Sequence, residues 1–387
     1  MPGAGYPEKR RVTGEIGFGR RRSAVWYILL GPIDLVLDCL AVSLMDLPPK
    51  LQIDDIDQQL PCGDSLWRAK TAHEWEAFQS TSEARNTNLS TLLTGYCSSE
   101  VDPSHISEFS SLLLLASFWV EERKALKGSK AFSMLHGNRD NPAKLNLSSD
   151  RNLDEKFTRL QPLQPQSLNP SRTDSHAMQA RTALYHILFI LRHTSLKSLH
   201  TFFGWCASPS EIAQTRQSLS QWVQLNWKTS RLCVYHAAMA FCHIRQATAE
   251  AFDCQHLISL VVAVQYLRIY QHVHISASGN ANNGHDGTTR VIRLDPTSNQ
   301  TKADESDLIA EWISGQEEVR FYLPGVGLLL DPRSPGCLLK ECQRLLDSRR
   351  AVGWPIFRAA LCRNLEEILN DVVPLSQPSY SVPVDAE

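Results

Sequence analysis

Thirteen histidines and ten cysteines are the residues of this 387-residue chain best suited to hold a metal or move a proton, and their spacing decides what they could do. His272-Val273-His274, with Cys254 and His256 upstream, would put two rings on one face of a strand, as a metal site requires; as the polar end of a helix entering a loop, the same residues need no ion. His236 and His243 stand seven apart, two turns along one helix face, where histidine more commonly serves core or interface. Structural zinc needs ligands paired two to four residues apart, so that both converge on one tetrahedral ion. Cys337 and Cys342 come nearest, with four residues between them and no histidine after them, so the chain encodes neither a zinc finger nor a six-cysteine binuclear cluster. Phe202, Phe203, Trp205, Trp222 and Trp227 could line a ligand pocket or form ordinary core. Gly325-Val326-Gly327 lacks the third glycine of a dinucleotide loop, and Asp54-Asp55, the nearest acidic pair, sits in a polar stretch. No metalloprotease helix, nucleophile elbow or kinase signature occurs.

The elements that must position these residues read as helices. Ile106, Phe109, Leu113, Ala116 and Val120 recur at spacings of three and four, and Leu184, Ile187, Leu188, Leu191, Leu199, Phe202 and Phe203 continue the pattern across a break near Thr194-Ser195. Ser208-Pro209-Ser210-Glu211 predicts a helix start running through Leu219 and Trp222. Leu232, Tyr235, Met239 and Cys242 form the next stripe, and Leu257 to His272 is apolar enough to be buried on most sides. Further helices are expected at 306–314, 338–348 and 355–371. Alternating strand patterns are nearly absent, so the expected fold class is all-α. Residues 139–176, with four prolines, and 277–305 read as mobile polar insertions in one large helical body, and the tail over 373–387 as disordered.

Charge and composition narrow the class. Lys plus Arg is 39 against 41 Asp plus Glu, a net charge of −2, which excludes a globally basic nucleic-acid coat. Ten scattered cysteines, many inside apolar runs, fit reduced thiols in an intracellular protein. Residues 24–45, preceded by Arg20, Arg21 and Arg22, are long enough to span a membrane. Asp34 and Asp38 at the centre each cost about 2.5–3.5 kcal/mol of insertion, so a broken, buried helix pair fits better and no membrane partner is expected. Lys9, Arg10 and Arg11, with Arg20–Arg22, form two basic clusters in a Gly-rich arm over 1–19 and just beyond. These could meet an acidic import receptor or nucleic-acid phosphates, or be a solvated tail.

The stretch from Leu60 to Trp75, LPCGDSLWRAKTAHEW, resembles the Leu-Pro-Cys…Leu-Trp…Ala…Glu-Trp signature of the fungal-specific transcription factor regulatory domain, the middle homology region. The residues that carry it are Leu60, Pro61, Cys62, Leu66, Trp67, Ala69, Glu74 and Trp75. A Pro-Pro and acidic lead-in precedes them. His193 and Leu196 before Gly204, then Trp222, His236 and Ala237, then Ala310–Gly315 and Gly325–Leu330, extend the likeness over residues 20–372. In physical terms Pro61 sets a turn, while Trp67 and Trp75, eight apart, share one helix face, so these residues read as architecture rather than a site. The resemblance implies a nuclear, all-helical, non-enzymatic regulator of RNA polymerase II genes. Its expected partners are a second copy, another transcription factor or co-regulators, and an effector in the helical core. In the family a zinc-bound DNA-binding module precedes this domain. Residues 1–19 do not resemble it and suit a mis-called gene start, so no cofactor is expected in this chain, zinc belongs only to the missing module, and direct DNA contact is left to the basic arm. The rival expectation is a helical enzyme with an apolar pocket for a lipid-like or terpenoid substrate.

Overall fold

Apolar side chains spaced three and four apart are buried along nearly every helix, and this periodicity makes the chain all-α. A computed structural model describes residues 34–43, 47–51, 70–81, 88–98, 100, 106–135, 151–160, 176–247, 254–278, 290–293, 302–315 and 320–348, with 359 and 363. The chain divides into two compact units, Met1–Leu188 and Phe189–Glu387.

In the first unit, α1 (34–43) buries Leu35, Cys39 and Val42. Leu35 meets Leu89 of α3 (Leu89–Cys97) and Leu113 of α4 (Glu108–Leu135), after the intervening α2 (Ala72–Thr81). Asp38, one of the acids that weigh against a membrane span, is buried on α1. Its carboxylate accepts the backbone N–H of Lys50 (3.0 Å) and of Leu51 (3.1 Å). Beside it, burial pushes the Cys39 thiol up to about 12. A reciprocal cap opens α2: the Thr71 hydroxyl accepts from the Glu74 N–H (3.2 Å), and the Glu74 carboxylate accepts from the Lys70 N–H (2.8 Å).

The stretch 139–176, expected to stay unpacked, contains α5 (Arg151–Arg159), whose Phe157 and following Leu160 are fully buried. Two apolar side chains in a polar context suffice because they insert into a run of rings. Phe157 stacks on Tyr185 of α6 (His176–His193) at 5.1 Å, and Phe118 bridges Phe157 to Tyr96.

The second unit begins in the last turn of α6. The break at Thr194-Ser195 is real: the Ser195 hydroxyl caps α7 (Leu196–Phe202) by accepting from the Ser198 N–H (3.0 Å). Ser208 and Glu211 form the expected reciprocal cap on α8 (Pro209–Leu225). Next come α9 (Trp227–Gln246) and α10 (Cys254–Ser278), which make the most extensive helix–helix contact of the unit.

The insertion expected at 277–305 is narrower than its composition suggests. α10 continues to Ser278, α11 starts at Lys302 (Lys302–Ser314), and between them β1 (Val291–Arg293) buries Ile292. β1 pairs in parallel with β2 (Arg320–Leu323), Ile292 opposite Phe321, and β2 pairs antiparallel with β3 (Gly327–Leu328). Gly325-Val326-Gly327 is thus a hairpin turn rather than a phosphate loop, with φ of +81° and +98° at its two glycines.

α12 (Ser334–Ser348) closes the unit. Its Glu341 accepts Arg245 Nε of α9 at 2.8 Å and Arg344 Nε at 2.6 Å. Those guanidinium groups hold the carboxyl below its ordinary range. Of the helix expected at 355–371, only residues 359 and 363 are described, both helical.

Candidate functional site

The basic clusters and most of the motif lie outside the described residues: Lys9, Arg10, Arg11, Arg20, Arg21 and Arg22, and Leu60, Pro61, Cys62, Leu66, Trp67 and Ala69. Trp75 lies on α2, and Glu74 beside it is the cap residue just described. The aromatic group separates. Phe202 and Phe203 are buried edge to face, 5.1 Å apart, at the end of α7. Trp227 belongs elsewhere. It lies across Gly315, where an added Cβ would come within 2.6 Å of its ring, and Arg231 sits between it and Trp312 at 5.2 and 5.5 Å.

The histidine pair on α10 separates too. His272 and His274 are helical, not strand-like, so their side chains leave the axis about 200° apart. The His272 ring meets Phe202 edge-on at 5.4 Å, whereas His274 meets Tyr270 at 4.2 Å. His236 is a core histidine, stacked on Phe189 at 3.9 Å, and burial with His193 nearby pulls it down to about 3. Among the described residues no group of three or more His, Cys, Asp or Glu could hold a metal ion, and no helix is long and apolar enough to cross a membrane.

What the structure does assemble is a polar junction of α7, α8 and α10. Gln265, Arg268 and His272 follow one another at spacings of three and four, hence on one face of α10. Gln265 reaches His200 of α7 (Nε2 to Nδ1, 3.0 Å), and the His200 ring stacks on Trp205 at 4.2 Å. From α8, Arg216 donates through Nε to the Phe202 carbonyl (3.0 Å), with its guanidinium 5.6 Å from the centre of the Phe202 ring.

Burial pulls His200 down to about 4 against the opposing hydrogen bond from Gln265. Burial, then Arg216 and Arg268, lowers His272 as well. Both imidazoles are therefore neutral near pH 7. Arg268 Nη1 donates to Gln271 Oε1 at 3.2 Å, while its buried Nε has no hydrogen-bond partner. Burial alone pulls this guanidinium down to about 10, leaving it charged at neutral pH. Trp205 Nε1 and Gln265 Oε1 are likewise buried without a partner. An arrangement of fixed positive charge beside neutral imidazoles is suited to holding a ligand. Moving a proton near pH 7 would need a group poised to titrate there.

Arg268 is not singled out by the sequence pattern, which shows only the apolar run from Leu257 to His272 that contains it. The signal was there: one arginine in a helix too apolar to present it wholly to water.

Comparison with known proteins supplies one relative. A protein named "Transcription factor" from Gibberella fujikuroi (strain CBS 195.34 / IMI 58289 / NRRL A-6831) is 21% identical over 322 residues, 83% of this chain. The chain is similar to a fungal transcription factor. It spans 37% of that protein's length. No family model matches the chain, and no solved structure does.

Proposed function

We propose that this chain is a helical regulatory module of a fungal-type transcriptional regulator, acting in the nucleus by protein contacts rather than by catalysis. The observation that carries this reading is the likeness, over most of the chain, to a protein named as a transcription factor. The all-α fold and the Leu60–Trp75 signature support it. The finer assignment to the middle homology region rests on that signature. Its partners would be a second copy of the chain, a DNA-binding transcription factor or a co-regulator. Contact with DNA through Lys9–Arg11 and Arg20–Arg22 would be salt-dependent, since phosphate neutralisation releases counterions.

The test is to fuse the chain to an unrelated DNA-binding domain in a filamentous fungus and read a reporter carrying that domain's sites. Reporter output several-fold above or below the DNA-binding domain alone is expected. Unchanged output from a folded, nuclear fusion would overturn the reading.

A further inference from the structure

We infer that the junction of α7, α8 and α10 is a binding site for a small oxyanion-bearing molecule, a carboxylate or a phosphate ester, with Arg268 as the group that neutralises it. Arg268 carries the argument. Arg268 is partly buried, and a guanidinium N–H that is taken out of water is costly unless an acceptor replaces its hydration. Here one nitrogen is spent on the neutral Gln271 amide and Nε is buried with no partner. No carboxylate among the described residues acts on it. Its surroundings supply no counter-charge: Arg216 and Arg268 both lie near His272, which they help to keep neutral.

An ion pair inside the fold would have cancelled this, as Glu341 does for Arg245 and Arg344 in the same unit. The guanidinium fork matches a carboxylate or phosphate bidentately, and Trp205 Nε1 at the same junction is a further buried donor without a partner. The inference goes beyond the transcriptional reading and does not depend on it, because binding is measured on the purified protein alone.

The experiment follows thermal unfolding and calorimetric binding of the full chain with inorganic phosphate and with citrate, against chloride at matched ionic strength. A saturable rise in Tm of several degrees with at least one probe is expected; citrate alone would point to carboxylates, phosphate alone to phosphate esters. R268Q should weaken that binding at least tenfold while melting no lower than wild type in anion-free buffer, since it removes a charge the fold does not neutralise. R268K keeps the charge but not the fork, so it should fold normally and bind several-fold more weakly. Arg290→Gln, at an exposed arginine paired with Glu311, should bind like wild type.

No saturable shift with either probe would overturn the inference, as would undiminished binding by R268Q or R268K, or an equal loss in the Arg290 variant. An R268Q that melts well below wild type, or does not fold, would make Arg268 a structural residue and overturn it too.

Discussion

Two groups of arginines in the second unit face opposite electrostatic circumstances. Arg245 and Arg344 converge on Glu341, a buried carboxylate that takes three charged hydrogen bonds between 2.6 and 2.8 Å. Arg268 and Arg216 face neutral imidazoles and aromatic rings. The first group is complete within the fold, and removing any part of it should be felt as lost stability. The second is incomplete on the Arg268 side, and removing that side chain should be felt as lost binding. Stability and binding thus become separate readouts for residues that look alike in sequence.

The largest effect expected from attacking the paired group comes through the backbone. Gly325 has φ +81° and lies where a Cβ would meet the Glu341 carboxylate carbon at 2.9 Å. Gly325→Ala adds left-handed strain to a clash and should lose about 3 kcal/mol in urea unfolding at unchanged m-value. Glu341→Gln should cost about 2 kcal/mol. That is less than a fully buried broken pair, because Arg245 and Arg344 are partly exposed and can rehydrate.

Acid should weaken the unit that holds both groups, through a histidine buried elsewhere in its core. His236 is neutral in the folded state down to about pH 3, but titrates near 6.5 when unfolded. The unfolded chain therefore binds more protons between those values. Stability is complete above about pH 6.5 and falls below it by up to about 1.4 kcal/mol per pH unit for this one group. The slope between pH 6.5 and 5, measured by urea unfolding, should flatten by up to that amount in His236→Phe. The smallest expected effect is the coupling between the groups. R268Q/E341Q should sum its single variants to within about 0.5 kcal/mol, since the two side chains share no partner. A larger coupling would merge the two groups into one network.

Much of this was legible in the sequence, for reasons that differ by residue. Most of the long helices were, because burial every third or fourth residue leaves its period in the chain; so were the break at Thr194-Ser195 and the start at Ser208, the latter because caps are local chemistry. β1 was not: three residues hold as a strand only because Arg320–Leu323, nearly thirty positions on, supplies the partner. Nor was α5, whose Phe157 matters through the rings of Tyr185 and Phe118. The candidate site fails for the same reason. Arg268 and Glu341 are each one charged residue on a helix, and whether a charge finds its opposite is a fact of tertiary structure.

The joining of α9 to α10 has a kinetic side. The two helices are sequence neighbours, so their large contact closes a short loop at little entropic cost, whereas Arg245 must wait for Glu341, 96 residues away. The α9–α10 pair is thus the natural folding nucleus of its unit. Trimming Leu260 or Phe241, buried on those helices, should slow refolding, while Glu341→Gln should leave refolding alone and hasten unfolding. The grip of α12 would then set how long the folded unit lasts rather than how soon it forms.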